Sequence, residues 1–332
     1  MEELTPAPVV EAILGYQQTA AMCAAIKLDL FSLACKGMDT AEDMAAACGA
    51  NPRGVRILAD YLTVHGFFEK VELHYQPTAV TRTFLDAASP ACMGSIIDFV
   101  ASPEFMGQFQ DDPTSYVRNG GSTGLANTAP ENPIWVTFAR AMIPFVGLQS
   151  ELVAQHVAAW PVKPRRVLDI AAGHGMFGIK VAAAVPDAEI TALDWPNVLK
   201  VARENAERAG LGGRYHLRPG SAFDVDWDRG YDLVMLPNFL HHFDDAACVA
   251  ILRRVRGSLA PSGRAFAVEL VPNSDRVSPP SPATFAFIML ATTPKGDAHT
   301  GDDYGAMARD AGFGGVALTP LLPTPHTIVE FV

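Results

Sequence analysis

The chain is short of positive charge: 25 Lys plus Arg stand against 36 Asp plus Glu, a net charge of −11 over 332 residues. Phosphate backbones and anionic lipids attract basic surfaces, so roles on nucleic acid or on a membrane surface start at a disadvantage. No run of 18 residues is free of charged or polar breaks, which removes the spanning-helix pattern. Residues 1–8, MEELTPAP, lack a basic stretch followed by an apolar one, and a cytoplasmic location is expected. Cysteine is scarce and scattered: Cys23, Cys35, Cys48, Cys92 and Cys248 never fall in CxxC. An odd, dispersed set gives neither a disulfide framework nor a thiolate zinc site, and free thiols are expected. What the chain has instead is apolar content, 49% of residues, enough for two domains with their own cores.

The character of the chain changes near Pro161–Arg165, where an Ala-rich, helix-patterned first half meets alternating strands and helices. Three regions are expected: 1–100, a set of linking helices over 101–160, and 161–332. Apolar periodicity predicts broken helix over Val9–Leu33, closed by Gly37. A capped start at Asp39–Asp43 leads to Gly49, and Asn51–His65 reads as a second helix with Pro52 in its first turn. Phe67–Leu73 and Tyr75–Pro77 pattern as a hairpin. Helix, turn, helix, hairpin is a winged-helix order, which has a DNA-binding reading and a dimerisation or packing reading. The candidate recognition helix carries only Arg53 and Arg56, and residues 1–100 hold 6 cations against 12 acids. The packing reading is favoured. Asn119–Gly124 is expected to be an exposed Gly/Asn-rich loop.

In the second half, strands are predicted at 166–170, 189–193, 215–218, 231–236, 263–270, 316–318 and 327–331. Helices are predicted at 177–185, 198–209, 246–259 and 306–311. This alternation is that of a doubly wound α/β sheet, whose ligand lies beyond the carboxyl ends of the strands. After the first of these strands, Gly173, Gly175 and Gly178 spell GxGxxG. Alone, that pattern fits a dinucleotide on a helix N-terminus, with Asp194 gripping ribose. Three details favour S-adenosylmethionine. Asp169 ends the strand where a carboxylate would receive a cationic methionine moiety and would sit badly beside a pyrophosphate. The unit lies mid-chain, behind a helical region. The edge after the fourth strand carries the polar and aromatic run Pro237–Phe243, including Asn238.

The combination D-x-x-x-G-x-G with an acid 19 residues beyond the second Gly resembles the class I S-adenosylmethionine-dependent methyltransferases. With the winged-helix-like front and LHHFDD, the whole chain resembles the small-molecule O-methyltransferase family that includes caffeate, polyketide and phenazine enzymes. The resemblance implies a Rossmann-like seven-stranded catalytic domain behind a mostly helical, winged-helix-like dimerisation domain. It implies cofactor contacts from Asp169, Gly173, Gly175, Asp194 on the ribose, Trp195 on the adenine, Ser221, Ala222, Phe223 and Asn238. Two departures stand out: Ala171 replaces the loop's first glycine, tolerable if its φ stays negative, and Ser221 replaces an Asp that reaches the adenine amine.

The family's histidine base falls on His241, and Glu269 falls on the acid that orients it. His242 replaces an Asp and is expected to line the pocket. A second family acid is absent, with Ala298 at its position. The neighbouring His299 allows an alternative, a divalent metal held by His241, Glu269 and His299, supporting C-methylation of an α-keto acid. Phe99, Trp135, Phe138, Met142, Phe145, Phe285, Met289 and Thr292, the last three after a Pro-rich loop at 279–282, are the candidate apolar pocket. The resemblance also implies a homodimer through the N-terminal helices, with Tyr16 and Gln17 as candidates to touch the partner's pocket. The leading expectation is O-methylation of a hydroxylated aromatic. Non-methylating chemistry on the same fold, an NAD enzyme and a winged-helix regulator that senses S-adenosylmethionine are the remaining readings.

Overall fold

The computed structural model describes residues 4–122 and 132–332. The chain divides into two compact units, Met1–Ser102 and Pro103–Val332.

In the first unit the long apolar stretch is three helices, Ala7–Leu14, Tyr16–Lys27 and Leu30–Cys35. The last break falls at Asp29, whose φ of 55° is a left-handed conformation that no helix continues through. Helix Ala41–Cys48 starts where the Thr40 hydroxyl accepts the Asp43 N–H and stops at left-handed Gly49. Asn51 caps Pro52–Val64 in the same way. Strands β1 (Phe68–Val71) and β2 (His74–Pro77) form the hairpin, and Thr40 bridges to His74. Leu30, Phe31, Met44, Val55, Leu62, Phe68 and Tyr75 make one core. Burying each such large side chain contributes about 1.5–3 kcal/mol relative to leaving it exposed. Arg56 in the would-be recognition helix is paired with Asp60 at 2.7 Å, which also takes Lys70.

The second unit is built on β3 (Arg166–Ile170), β4 (Glu189–Asp194), β5 (Tyr215–Pro219), β6 (Tyr231–Pro237), β7 (Leu259–Glu269), β8 (Val316–Pro320) and β9 (Thr327–Phe331). Their order is β5-β4-β3-β6-β7-β9-β8. The first five run parallel, while β9 is antiparallel to both β7 and β8. Alternate residues feed two cores. Val167, Ile190, Leu233 and Phe266 enter one, whereas Leu168, Val234, Leu252 and Tyr304 enter the other. A sheet buried on both faces is what near-continuous apolar strands produce. The strand order reverses between β3 and β6, so the crevice for a ligand opens above their carboxyl ends.

Three expectations change. The Pro-rich loop at 279–282 is the cap and first turn of a helix, Pro280–Thr292, because proline is tolerated where no N–H is needed. The last helix begins five residues earlier than predicted, at Gly301 instead of Ala306, behind a capping box of Thr300 and Asp303. In the loop expected to be exposed, Asn119 and Gly120 are exposed, whereas Gly121 packs against Pro294 and the Ser122 N–H donates to the Thr293 carbonyl at 2.7 Å. Thr123 and Gly124 lie outside the described residues. Among the described residues no single helix is long and apolar enough to cross a membrane.

Candidate active site

Above β3 the chain makes a tight turn into helix Met176–Ala184, with Gly173 at φ 58° and Gly175 at φ 79°. A Cβ on Gly178 would lie 2.8 Å from Ile190 Cγ2 and 2.9 Å from Asp169 Oδ2, so this glycine lets the helix sit directly on the sheet. At Gly173 a Cβ would meet only the Ala171 carbonyl oxygen, at 3.8 Å. Ala171 sits at φ 55°, so the condition that would make alanine easily tolerated there, a negative φ, is not met. The turn demands a left-handed residue there, and alanine adopts it under strain.

Asp169 is fully buried. Its Oδ2 accepts the Gly178 N–H at 3.1 Å, while Oδ1 has no partner. Burial raises its pKa to about 7, with the Gly178 N–H pulling the other way and Asp194 adding to the rise. An orphaned carboxylate oxygen of this kind fits a cationic ligand group. At the end of β4, Asp194 Oδ2 accepts the Gly173 N–H at 2.7 Å and Oδ1 accepts the Trp195 N–H at 2.6 Å. Burial nevertheless raises its pKa to about 6. Ser221 Oγ is turned onto its own loop, accepting the Phe223 N–H at 3.1 Å. Ala222 is buried, and Phe223 forms a ring cluster with Phe239 and Phe243 at centroid distances of 6.4 and 5.0 Å. Asn238 takes φ 52°, which lets its N–H reach the Val268 carbonyl at 2.9 Å as the chain leaves β6.

His241 sits in a short 3-10 turn, Leu240–His242, and is almost fully buried. Its Nδ1 lies 2.5 Å from Glu269 Oε2. Glu269, at the end of β7 and wholly buried, accepts the N–H groups of Phe239 and Leu240 on Oε1 at 3.0 and 2.8 Å. Those bonds fix the carboxylate, and the carboxylate fixes the imidazole. The His241 ring meets Phe285 edge-on at 4.9 Å and His242 at 4.4 Å. His242 meets Trp135 at 6.1 Å, and Trp135 meets Phe138 at 5.9 Å. Burial, then the neighbouring His241, pushes the His242 pKa well below its ordinary value, so the ring is neutral. Its Nδ1 and the Trp135 Nε1 are buried without partners.

The structure thus brings His241, Glu269, His242, Trp135, Phe138 and Phe285 into one ring-lined place. Met289 and Thr292 are buried on the helix that carries Phe285, and Met142 caps the helix before Ile143. Phe145 faces His326 at 6.3 Å, and Phe99 belongs to the first unit. The metal trio is not assembled. His299 Nε2 is 3.1 Å from the Phe243 carbonyl, its Nδ1 is 3.7 Å from Asp245, and both Glu269 oxygens are committed as described. Among the described residues no three His, Cys, Asp or Glu side chains are grouped to hold a metal ion.

Sequence reasoning passed over three residues. The Asn205 side chain donates to the His174 carbonyl at 2.8 Å and anchors the glycine turn. Burial lowers the His174 pKa to about 4, leaving Nδ1 free to accept the Met176 N–H at 3.1 Å. His326 is buried within electrostatic reach of Glu269 and His241, and burial lowers its pKa to about 4. No local motif marks any of them.

The sequence matches the O-methyltransferase domain over residues 108–314 and the O-methyltransferase dimerisation domain over residues 10–87. The chain belongs to the O-methyltransferase family. Membership makes it an S-adenosylmethionine-dependent methyltransferase. A solved structure assigned as an O-methyltransferase from Nostoc punctiforme PCC 73102 is 42% identical, with TM-score 0.95 and 99% of each chain covered. Acetylserotonin O-methyltransferase of Mus musculus molossinus is 29% identical over 320 residues, 90% of this chain and 81% of the relative. The 3-hydroxy-5-methyl-1-naphthoate 3-O-methyltransferase of Streptomyces sahachiroi is 28% identical over 312 residues, 92% of this chain and 89% of the relative. The methyltransferase thus has the glycine turn after β3 and the His241–Glu269 pair at the carboxyl ends of the strands of one sheet.

Proposed function

We propose that this methyltransferase O-methylates a small hydroxylated aromatic, with His241 as general base and Glu269 as the group that orients it. The observation carrying this reading is the buried 2.5 Å His241–Glu269 contact. A carboxylate at Nδ1 keeps the proton on that nitrogen and leaves Nε2 with its lone pair. Bound S-adenosylmethionine supplies an electrophilic methyl on a sulfonium. As the acceptor oxygen bonds to that methyl and the carbon–sulfur bond breaks toward sulfur, Nε2 receives the hydroxyl proton. Asp169 holds the cationic methionine end, Asp194 the ribose, and Trp195 and Phe223 flank the adenine. Alignment of the nucleophile supplies most of the rate.

The acceptor is planar and largely apolar, because Phe138, Met142, Phe285 and Met289 offer it no charge. Trp135 Nε1 and His242 Nδ1 give it two hydrogen-bonding atoms. The naphthoate and acetylserotonin relatives support an aromatic hydroxyl as acceptor. The His241–Glu269–His299 geometry offers no support for metal-assisted C-methylation.

In a panel of naphthols and hydroxyindoles, His241→Gln and Glu269→Gln should lower kcat by about 10²–10⁴-fold and less, respectively. Both should bind S-adenosylhomocysteine as the wild type does. Wild-type rates in His241→Gln would overturn the base assignment. The working form is a homodimer through the N-terminal helices, supported by the dimerisation domain and by the apolar residues that helix Ala7–Leu14 leaves uncovered.

A further inference from the structure

Residues 293–303 run along the turn that carries His241 and hold it at several points. The Asp297 N–H donates to the His241 carbonyl at 3.0 Å. A Cβ on Gly296 would collide with that same carbonyl oxygen and lie 3.0 Å from the His242 carbonyl carbon, so the segment is in close contact with the turn. Lys295 Nζ pairs with Asp244 at 2.9 Å, and His299 Nε2 reaches the Phe243 carbonyl at 3.1 Å. The segment's own conformation is set from within, since Thr293 Oγ1 accepts the Gly296 N–H at 2.7 Å.

What fixes this strap from outside is Arg276. It lies in the loop that leaves β7 just after Glu269. Nη1 donates to Asp297 Oδ2 at 3.0 Å and Nη2 to Asp303 Oδ2 at 2.7 Å. Asp303 is also the capping-box residue of helix Gly301–Asp310, so one guanidinium joins the strap to the helix that follows it. The geometry points to Arg276 as a positioning residue for His241, acting through Asp297 and its backbone N–H; this rests on His241 being the base.

The Arg276 side chain is half exposed, and ion pairs of that kind add little to global stability. Its effect belongs instead to the placement of the imidazole, where a displacement of about 1 Å costs up to about 10²-fold in rate. Arg276→Ala is expected to lower kcat about tenfold, with the S-adenosylhomocysteine affinity unchanged and the loss partly restored in Arg276→Lys. Asp297→Ala should act alike, and the double variant should be no worse than either single one, because both remove the same link.

Hydrogen exchange of the full-length protein gives a readout independent of any acceptor. Amides in 239–245 and 293–299 should exchange faster in Arg276→Ala than in wild type, and Arg276→Lys should restore part of their protection. Faster exchange confined to 271–279 would overturn the proposal, as would additive losses in the double variant or an unchanged kcat. Altered exchange at 239–245 alongside wild-type rates in His241→Gln would keep the strap and discard the base assignment.

Discussion

Asp169 carries the sharpest consequence of any single residue. An ordinary aspartate titrates near about 3.9, whereas burial lifts Asp169 to about 7. Between those values the ligand-free fold binds more protons than the unfolded chain, so this group's contribution lowers stability as pH rises through that window. A cationic ligand group beside the orphaned Oδ1 favours the ionised form. Affinity for S-adenosylhomocysteine should therefore rise from pH 6 to pH 8, and calorimetric titration of Asp169→Asn should give a weaker, flat profile. An equal slope in the variant would place the titrating group elsewhere. The places of Asp169, Asp194 and Glu269 at the sheet's carboxyl edge were legible in the sequence because each stands at or next to a strand end, and that of His241 because it falls in the run LHHFDD after β6. His326 and Asn205 were not, since a lone residue gains its meaning only from what the sheet brings beside it. His299 was legible as a residue type and misleading as a ligand, because its ring nitrogens face Phe243 and Asp245.

At the scale of elements, the sequence pattern located all seven strands of the sheet to within a few residues. Strands buried on both faces read as apolar runs with turn residues between them. Helix Pro280–Thr292 was hidden by its own prolines, which resemble a loop until their place in the first turn is known. The turn after β3 was legible in position but not in conformation, since the sign of φ at Ala171 is set by how the turn packs on the sheet and not by the residue type. Ala171→Gly relieves a left-handed alanine at some cost in unfolded-chain entropy, and should raise stability by about 0.5–1 kcal/mol. A urea midpoint shifted upward at constant m would show it, and a downward shift would mean that the methyl group is held by contacts worth more than the strain.

For the molecule as a whole, helix Ala7–Leu14 has no buried residue, and Val9, Val10 and Ile13 are 62%, 49% and 68% exposed. Exposed apolar residues of this kind are what the proposed homodimer would cover, since a two-fold pairing buries the same face on both copies. Sedimentation should give a dimer for the wild type and a monomer for the Val9→Glu/Ile13→Glu double variant. A wild-type monomer at micromolar concentration would refute the homodimer.

The way β9 slots between β7 and β8 also bears on how the enzyme is made. Glu269 gains its outer neighbour in the sheet from Thr327, synthesised 58 residues later. A ribosome that has just finished β7 holds a chain with Glu269 and His241 already translated but with the flank of β7 bare. Pairing of the sheet on the outer side of Glu269 thus waits on a strand that emerges well after it. Until then that bare flank is an unpaired edge, open to other extended chains.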